Sequence, residues 1–294
     1  MKNNKNDKYS PASNSKSNYN PNLNSNSNSN SNSTPKSIST SNSTSWESVE
    51  KWYRGSVGSE GHYYHQNIVI PGVLRLLSSS KNSLPPALLD LACGPGVLAR
   101  HIPINIDYVG VDISPSLIKS AKAEDKNLKH QYVVADATKA IPVTKRDFSH
   151  AAIILAIQNM ENPKEALVNA AKHMSIGGHL VIVMNHPCFR IPRQSSWKND
   201  EEQKVQFRRI DCYSSMLHIP IQAHPSKGEQ SATTWSFHHP LASYSQWLFD
   251  AGFAIEIIEE WHSDKVSTGR AAKMENKARN EFPLFMAIRA IKIS

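Results

Sequence analysis

From Ala87 onward, short and almost unbroken apolar runs alternate with amphipathic stretches. The runs "ALLDLAC", "DYVGVDI", "QYVVADA", "SHAAIILAI" and "HLVIVMN" are rich in aliphatic and β-branched residues over lengths that suit strands buried on both faces. Between them, "VLARHI", "PSLIKSAKAE" and "NPKEALVNAAKHM" read as amphipathic helical segments, and a loop separates "QYVVADA" from "SHAAIILAI". Ser114 followed by Pro115 offers a helix cap and a first-turn proline. Strand and helix in regular turn imply right-handed crossovers and a mostly parallel sheet covered by helices on both faces. This is a doubly wound α/β domain.

Flanking segments depart from this rhythm. Before it, "WESVEKWYRG" reads as a short helix stopped by Gly55, "SVGSEGHYYHQ" as a glycine-punctuated loop, and "NIVIPGVLRLLSSS" as a lead into a helix ending near Ser78. After it, residues 187–240 are rich in Pro, His, Arg and Trp with poor periodicity and are too long for an ordinary connection. They read as a cap inserted over the ligand cleft. A short helix, "LASYSQWLFDAG", then precedes two strand-like runs, "FAIEIIEEW" and "FPLFMAIRAIKI". These are expected to form an antiparallel pair at the sheet edge, joined by a polar stretch.

Composition removes the first 45 residues from this picture, because Asn and Ser make up 27 of them and little is left to bury. A disordered tail over 1–45 is expected, with one domain over 46–294 whose residues 46–80 form a helical lid. The tail has neither the apolar core of a secretory signal nor the Arg-rich pattern of a transit peptide, and no apolar run is long enough to span a membrane. A soluble, cytoplasmic chain is expected. Half of the formal charge of +8 lies in the tail, so the basic balance says little for nucleic-acid binding. Cys93, Cys188 and Cys212 are odd in number and lack C-x-x-C spacing, which argues against disulfides or a zinc cage. The histidines lack i, i+4 helical pairing, and no metal site is expected.

The stretch "DLACGPG" ends the first clear strand, where open α/β sheets bind their ligands. Gly94 and Gly96 let the backbone turn tightly and approach a ligand, and Asp112 would place a carboxylate beside that turn, where a ribose diol would be gripped. Asp112 also reads as an ordinary residue at the start of a helix. Gly94-x-Gly96-x-x-Ala99 satisfies a loose dinucleotide fingerprint as well. Asp90, on the strand before the loop, would repel a pyrophosphate but suit a cationic amino-acid moiety. Asp136 ends a third strand, able to accept a hydrogen bond from an adenine amino group or to act as a solvated turn acid. Cys93 reads as a small packing residue, with no general-base partner in view.

Taken together, "LLDLACGPG", "YVGVDISPSLI", "YVVADAT", "FSHAAIILAIQNM" and "IGGHLVIVMNHP" resemble the successive motifs of class I S-adenosylmethionine-dependent methyltransferases. The C-terminal pair of strands resembles their reversed last hairpin. The resemblance implies a seven-stranded, mostly parallel sheet with an antiparallel last strand, and S-adenosylmethionine as cofactor. It also implies that the loop at Gly94 and Gly96 wraps the methionine part with Asp90 near the ammonium. Asp112 would hold the ribose with Ile113 beside it, Asp136 and Ala137 would flank the adenine, and Ala156 would lie next to the cofactor. Ser149 departs from the family, which often has an acid at the start of that strand.

The cap favours an enclosed small-molecule acceptor. A macromolecular acceptor and a non-catalytic cofactor-binding protein are the rival readings. "NHPCF" shapes the cleft rim, or binds a planar amide by analogy with amino-group methyltransferases. Arg190, Arg193, Arg208 and Arg209 either read an acidic substrate or solvate the cap. His238 or His239, with Tyr244 as the lesser candidate, would be a general base, or one imidazole pins the cap by hydrogen bonding.

Overall fold

The computed structural model describes residues 46–49, 61–78, 87–223 and 231–294. The expected tail over 1–45 lies outside these residues, as does most of the helix expected from Trp46, of which a 3-10 turn at Glu47–Val49 is described. Strands β1 (Ala87–Leu91), β2 (Asp107–Asp112), β3 (Gln131–Val134), β4 (Phe148–Ile154) and β5 (Met174–Asn185) run parallel in the order β3-β2-β1-β4-β5. Past β5, the insertion holds β6 (Ser195–Asp200), β7 (Val205–Ile210), β8 (Leu217–Gln222) and β9 (Thr233–His238). Two further strands, β10 (Phe253–Trp261) and β11 (Phe285–Lys292), complete the main sheet. β11 lies between β5 and the edge strand β10 and is antiparallel to both, so the expected antiparallel pair forms with its later strand inside.

Side chains alternating along each strand feed two cores. Leu89 and Leu91 of β1 join Leu180 and Ile182 of β5 on one face, whereas Leu88 joins Val181 and Val183 on the other. The first face is covered by α3 (Pro163–His173) and α4 (Leu241–Asp250), the second by α1 (Ile70–Ser78) and α2 (Pro115–Glu124). Ser114 caps α2 as its sequence suggests, its hydroxyl accepting from the Leu117 amide at 3.1 Å ahead of Pro115. Ser149, where an acid is common in the resembling family, is fully buried. Its Oγ accepts from the Ala87 amide at 2.9 Å and donates to the Ala87 carbonyl at 3.1 Å, joining β4 to the start of β1.

Several local expectations are corrected. "VLARHI" forms only a 3-10 turn at Leu98–His101. "HYYHQ" is not a loop: a π-helical turn, His65–Val69, runs directly into α1. The polar stretch between the last strands carries α5 (Ala272–Glu281), whose single buried residue, Ala278, leaves little apolar pattern to read. The insertion folds as two antiparallel hairpins, β6-β7 and β8-β9. In β7 the period-two signal is hidden because the less exposed positions carry Gln206 and Arg208 instead of aliphatic residues.

Gly72 of α1 packs against the Trp261 indole, and a Cβ there would overlap the ring. Gly72→Ala is therefore expected to cost about 1 to 3 kcal/mol, seen as a fall of about 2 to 10 °C in a calorimetric Tm. An unchanged Tm would show that α1 is not tightly seated.

Candidate functional site

The order of the parallel strands reverses between β1 and β4, so their carboxyl ends open a crevice there. The loop leaving β1 turns through three left-handed residues, Ala92 (φ 59°), Gly94 (φ 55°) and Gly96 (φ 74°). Gly96 has a second constraint, since a Cβ would sit 3.0 Å from the Tyr132 hydroxyl and 3.1 Å from Ala121 Cβ. The loop is held by the Gly94 amide, which donates to Asp112 Oδ2 at 2.8 Å, while Oδ1 accepts from the Ser114 amide at 2.9 Å. Asp112 therefore ends β2, braces the β1 loop and adjoins the cap of α2.

Asp90 is 2% exposed. Tyr108 donates to its Oδ2 at 2.9 Å, while Oδ1 is buried without a partner. Burial pushes the Asp90 carboxyl up to about 7 against the lowering effect of Tyr108, and the neighbouring Asp112 adds to the rise. Asp112 is also raised by burial, although the Ser114 and Gly94 amides oppose the shift. The Cys93 thiol is pushed well up by burial and then by these two acids, which keeps it protonated and leaves it a packing group beside Gly110.

Farther along the crevice, Asp136 is half-buried. Its Oδ1 accepts from the Thr138 amide and hydroxyl at 2.9 and 2.7 Å, and its Oδ2 lies 3.5 Å from Lys139 Nζ. Ala137 is buried, Ile113 half-buried, and Ala156 begins the 3-10 turn Ile157–Asn159 after β4. Leu155, just before it, is left-handed at φ 52°, so strained backbone marks the exits of both central strands.

A second feature was not visible in the chain. Glu47 accepts hydrogen bonds from both the Ser114 and Ser116 hydroxyls and from the Ser116 amide at 3.2 Å, and these bonds hold its carboxyl below the usual range. The bonds tie the start of the described chain to the cofactor side of α2. No local signal links residues 67 positions apart.

Beyond the ends of β4 and β5 lies a cleft of about 290 Å³ including its open mouth, lined by Gln158, Asn185, Arg190, Phe237, His238 and Tyr244 among others. Of the three base candidates, His238 and Tyr244 face this cleft, whereas His239 does not line it. His239 is wedged edge-on against Trp247 and Tyr244, with neither ring nitrogen partnered, and burial drops it to about 4. His238 Nε2 donates to the Tyr213 carbonyl at 2.8 Å, which leaves Nδ1 as the lone-pair nitrogen, and burial lowers its pKa. Burial also raises the Tyr244 hydroxyl. Asn185 and Pro187 of the "NHPCF" stretch line the cleft, whereas Gln158 was not singled out from sequence. Its signal was position alone, just past the fourth strand.

This topology and glycine loop define the class I S-adenosylmethionine-dependent methyltransferase fold. Residues 89–182 match the methyltransferase domain family. The chain is 24% identical over 207 residues to the demethylmenaquinone methyltransferase of Renibacterium salmoninarum, covering 68% of this chain and 80% of that one. It is 26% identical over 207 residues to the enzyme of the same name from Paenarthrobacter aurescens, covering 70% and 76%. A solved S-adenosylmethionine-dependent methyltransferase from Mesorhizobium loti shares the fold at TM-score 0.58 and 24% identity, over 75% of this chain and 96% of that one. Residues 89–182 thus form a methyltransferase domain on the class I S-adenosylmethionine-dependent fold, a fold whose cofactor is S-adenosylmethionine. Among the described residues no helix is long and apolar enough to cross a membrane, and no cluster of His, Cys, Asp and Glu could hold a metal ion.

Ala92 carries a Cβ at a left-handed turn of the cofactor loop. Ala92→Gly should relieve about 1 kcal/mol of strain and raise the urea midpoint at unchanged m-value. A lowered midpoint would mean that the methyl packs usefully enough to offset the strain.

Proposed function

We propose that this protein methylates a small molecule bound in the cleft beneath the insertion, with the cofactor along the Gly94–Gly96 loop. The observation that carries this reading is the cap itself: hairpin β8-β9 sets Phe237 and His238 opposite Asn185 and Gln158, walling the cleft on the side where an open groove for RNA or protein would need access. The demethylmenaquinone methyltransferases, named for a small-molecule acceptor, are in keeping with it. Free cysteines at 93, 188 and 212 favour a reducing compartment, consistent with a cytoplasmic enzyme.

The residues at the loop fit the cofactor. Asp90 offers a buried, unpartnered carboxylate oxygen to an ammonium, and Asp112 a carboxylate to a diol. Bare backbone at Gly94 and Gly96 permits close approach, while Ile113, Asp136 and Ala137 flank the adenine side and Ala156 lies next to the methyl end. Bound S-adenosylmethionine supplies an electrophilic methyl carbon, so the chain's own task is to align a nucleophile with it, exclude water and accept a proton. Alignment alone is worth about 7 to 11 kcal/mol in well-positioned systems. His238 is the better-placed base because it lines the cleft, is held through Nε2, and is neutral at pH 7. His239 and Tyr244 then support its position.

The Asp90 assignment has a pH signature. Below about 7 the free carboxyl is protonated, so binding an ammonium must release that proton, and affinity should fall by up to about tenfold per pH unit on acidification. Calorimetry from pH 6 to 8 should show this slope in wild type and a flat profile in Asp90→Asn. A flat wild-type profile would remove Asp90 from the ammonium.

The activity itself is tested with methyl-tritiated S-adenosylmethionine offered to separate low-mass, RNA and protein fractions of a cell extract. Label is expected in the low-mass fraction, with His238→Ala slowing incorporation by about 10² to 10⁴ while His239→Ala keeps most of the rate. Label only in RNA or protein favours a macromolecular acceptor, and tight binding without turnover a non-catalytic protein.

A further inference from the structure

Resting on the assignment of this cleft as the acceptor site, we infer that the acceptor carries a carboxylate held by Arg190 and is methylated on an O–H or N–H positioned by Gln158. Neither residue has a role in the cofactor assignments above. Together they give the cleft a direction, with a cation on its cap side and an unfilled acceptor on its cofactor side.

Arg190 follows β5 into the insertion and lines the cleft. Its Nε and one terminal nitrogen donate to the carbonyls of Pro283 and Phe282 at 3.2 and 3.4 Å, contacts that hold the guanidinium without neutralising it. Among the described residues it forms no ion pair with a carboxylate. Its charged neighbour is a second cation, Arg208, and the two guanidinium groups lie over the same Trp197 ring at 5.5 and 5.0 Å from its centroid. Burial first, and then Arg208, brings Arg190 down to about 10. A half-buried cation facing another cation and lacking a counter-ion is stabilised by an anion entering the cleft. One guanidinium at the wall matches a single negative charge. Asn185 and neutral His238, which complete that end, add no second charge of the kind a phosphate dianion requires.

Gln158 sits two residues beyond Ala156, at the cofactor end. Its Nε2 donates to the Leu155 carbonyl at 2.9 Å, which fixes the orientation of the amide, and its Oε1 is then buried with no donor. An orphaned acceptor in the wall of a ligand cleft calls for an O–H or N–H on the ligand. The chemistry balances without further reagents. The acceptor heteroatom bonds to the methyl carbon as the sulfur–methyl bond breaks, the proton passes to His238 Nδ1 and on to water, and the carboxylate leaves unchanged. Phe237 and Pro187 between the two ends suit a compact, partly apolar body.

The test uses the full chain and labelled transfer into the low-mass extract. The product should be retained on an anion exchanger at pH 7, and its methyl should survive mild base, because the carboxylate is not esterified. Arg190→Gln should raise the extract concentration for half-maximal rate at least about 30-fold at unchanged S-adenosylhomocysteine affinity, and Arg190→Lys should recover part of the loss. If Arg190→Gln folds poorly, Asn185→Asp serves instead: the position is exposed, and the added charge should weaken acceptor use in the same direction. A neutral product, a base-labile methyl ester, or wild-type concentration dependence in Arg190→Gln overturns the inference while leaving the methyltransferase reading intact. If no small product forms, that reading fails. Anthranilate binding to the S-adenosylhomocysteine-saturated protein then decides: thermal stabilisation lost in Arg190→Gln supports the carboxylate site, and no stabilisation in wild type overturns it.

Discussion

A single buried carboxylate organises the functional end of the sheet. Asp112 accepts the Gly94 amide with one oxygen and the Ser114 amide with the other, so the exit of β1, the end of β2 and the cap of α2 share one anion. Hydrogen bonds to a charged acceptor are about twice as strong as neutral ones, and here they constrain a loop that passes through three left-handed residues. Asp90 lies close enough to raise the cost of that arrangement. Two acids share a corner with little water, burial pushes both carboxyls up, and one oxygen of Asp90 is left without a donor. The corner thus holds one unsatisfied acceptor beside two acids whose charge burial disfavours.

Apart from Glu47, which bonds Ser114 and Ser116 beside that corner, the N-terminal segment and the insertion are anchored on the antiparallel side of the sheet. The N-terminal helical segment is tied to the chain around the end of β10: Tyr63 donates to Asp264 at 2.9 Å, Tyr64 bonds Ser263 at 3.0 Å, and Lys265 lies over both tyrosine rings. Arg75 reinforces the same side through both oxygens of Glu259, an exposed pair that orients more than it stabilises. The insertion is anchored next to it by aromatic packing, with Phe282 edge-on to Trp197 and to Phe189 at 5.4 and 5.5 Å. The antiparallel side of the sheet therefore carries these contacts, and the parallel strands carry the Gly94–Gly96 loop.

This division places demands on the arginines. Arg190 and Arg208 both lie over Trp197, and Arg190 alone of the two also lines the cleft.

Much of the parallel half was legible in the chain because its determinants are local. Buried strands need continuous apolar runs, Ser114 with Pro115 announces a helix start, and Gly94 and Gly96 stand where the backbone turns left-handed. The acids at 90, 112 and 136 could be placed at strand ends for the same reason, since strand length and period set where each side chain emerges. The hairpin β6-β7 and the helix α5 were not legible, because the less exposed positions of β7 carry Gln206 and Arg208 and α5 buries only Ala278, so the binary pattern vanishes. The sequence by itself determined the alternating strands and helices of the parallel half and the glycine turn after β1, through short-range periodicity and turn chemistry. Only the tertiary structure decided that Glu47 reaches Ser114, that His238 lines the cleft while His239 is packed behind it, and that Arg190 meets Gln158 across one space. Those are long-range contacts between polar groups, which leave no period in the chain and exist only once the folded sheet brings its distant ends together.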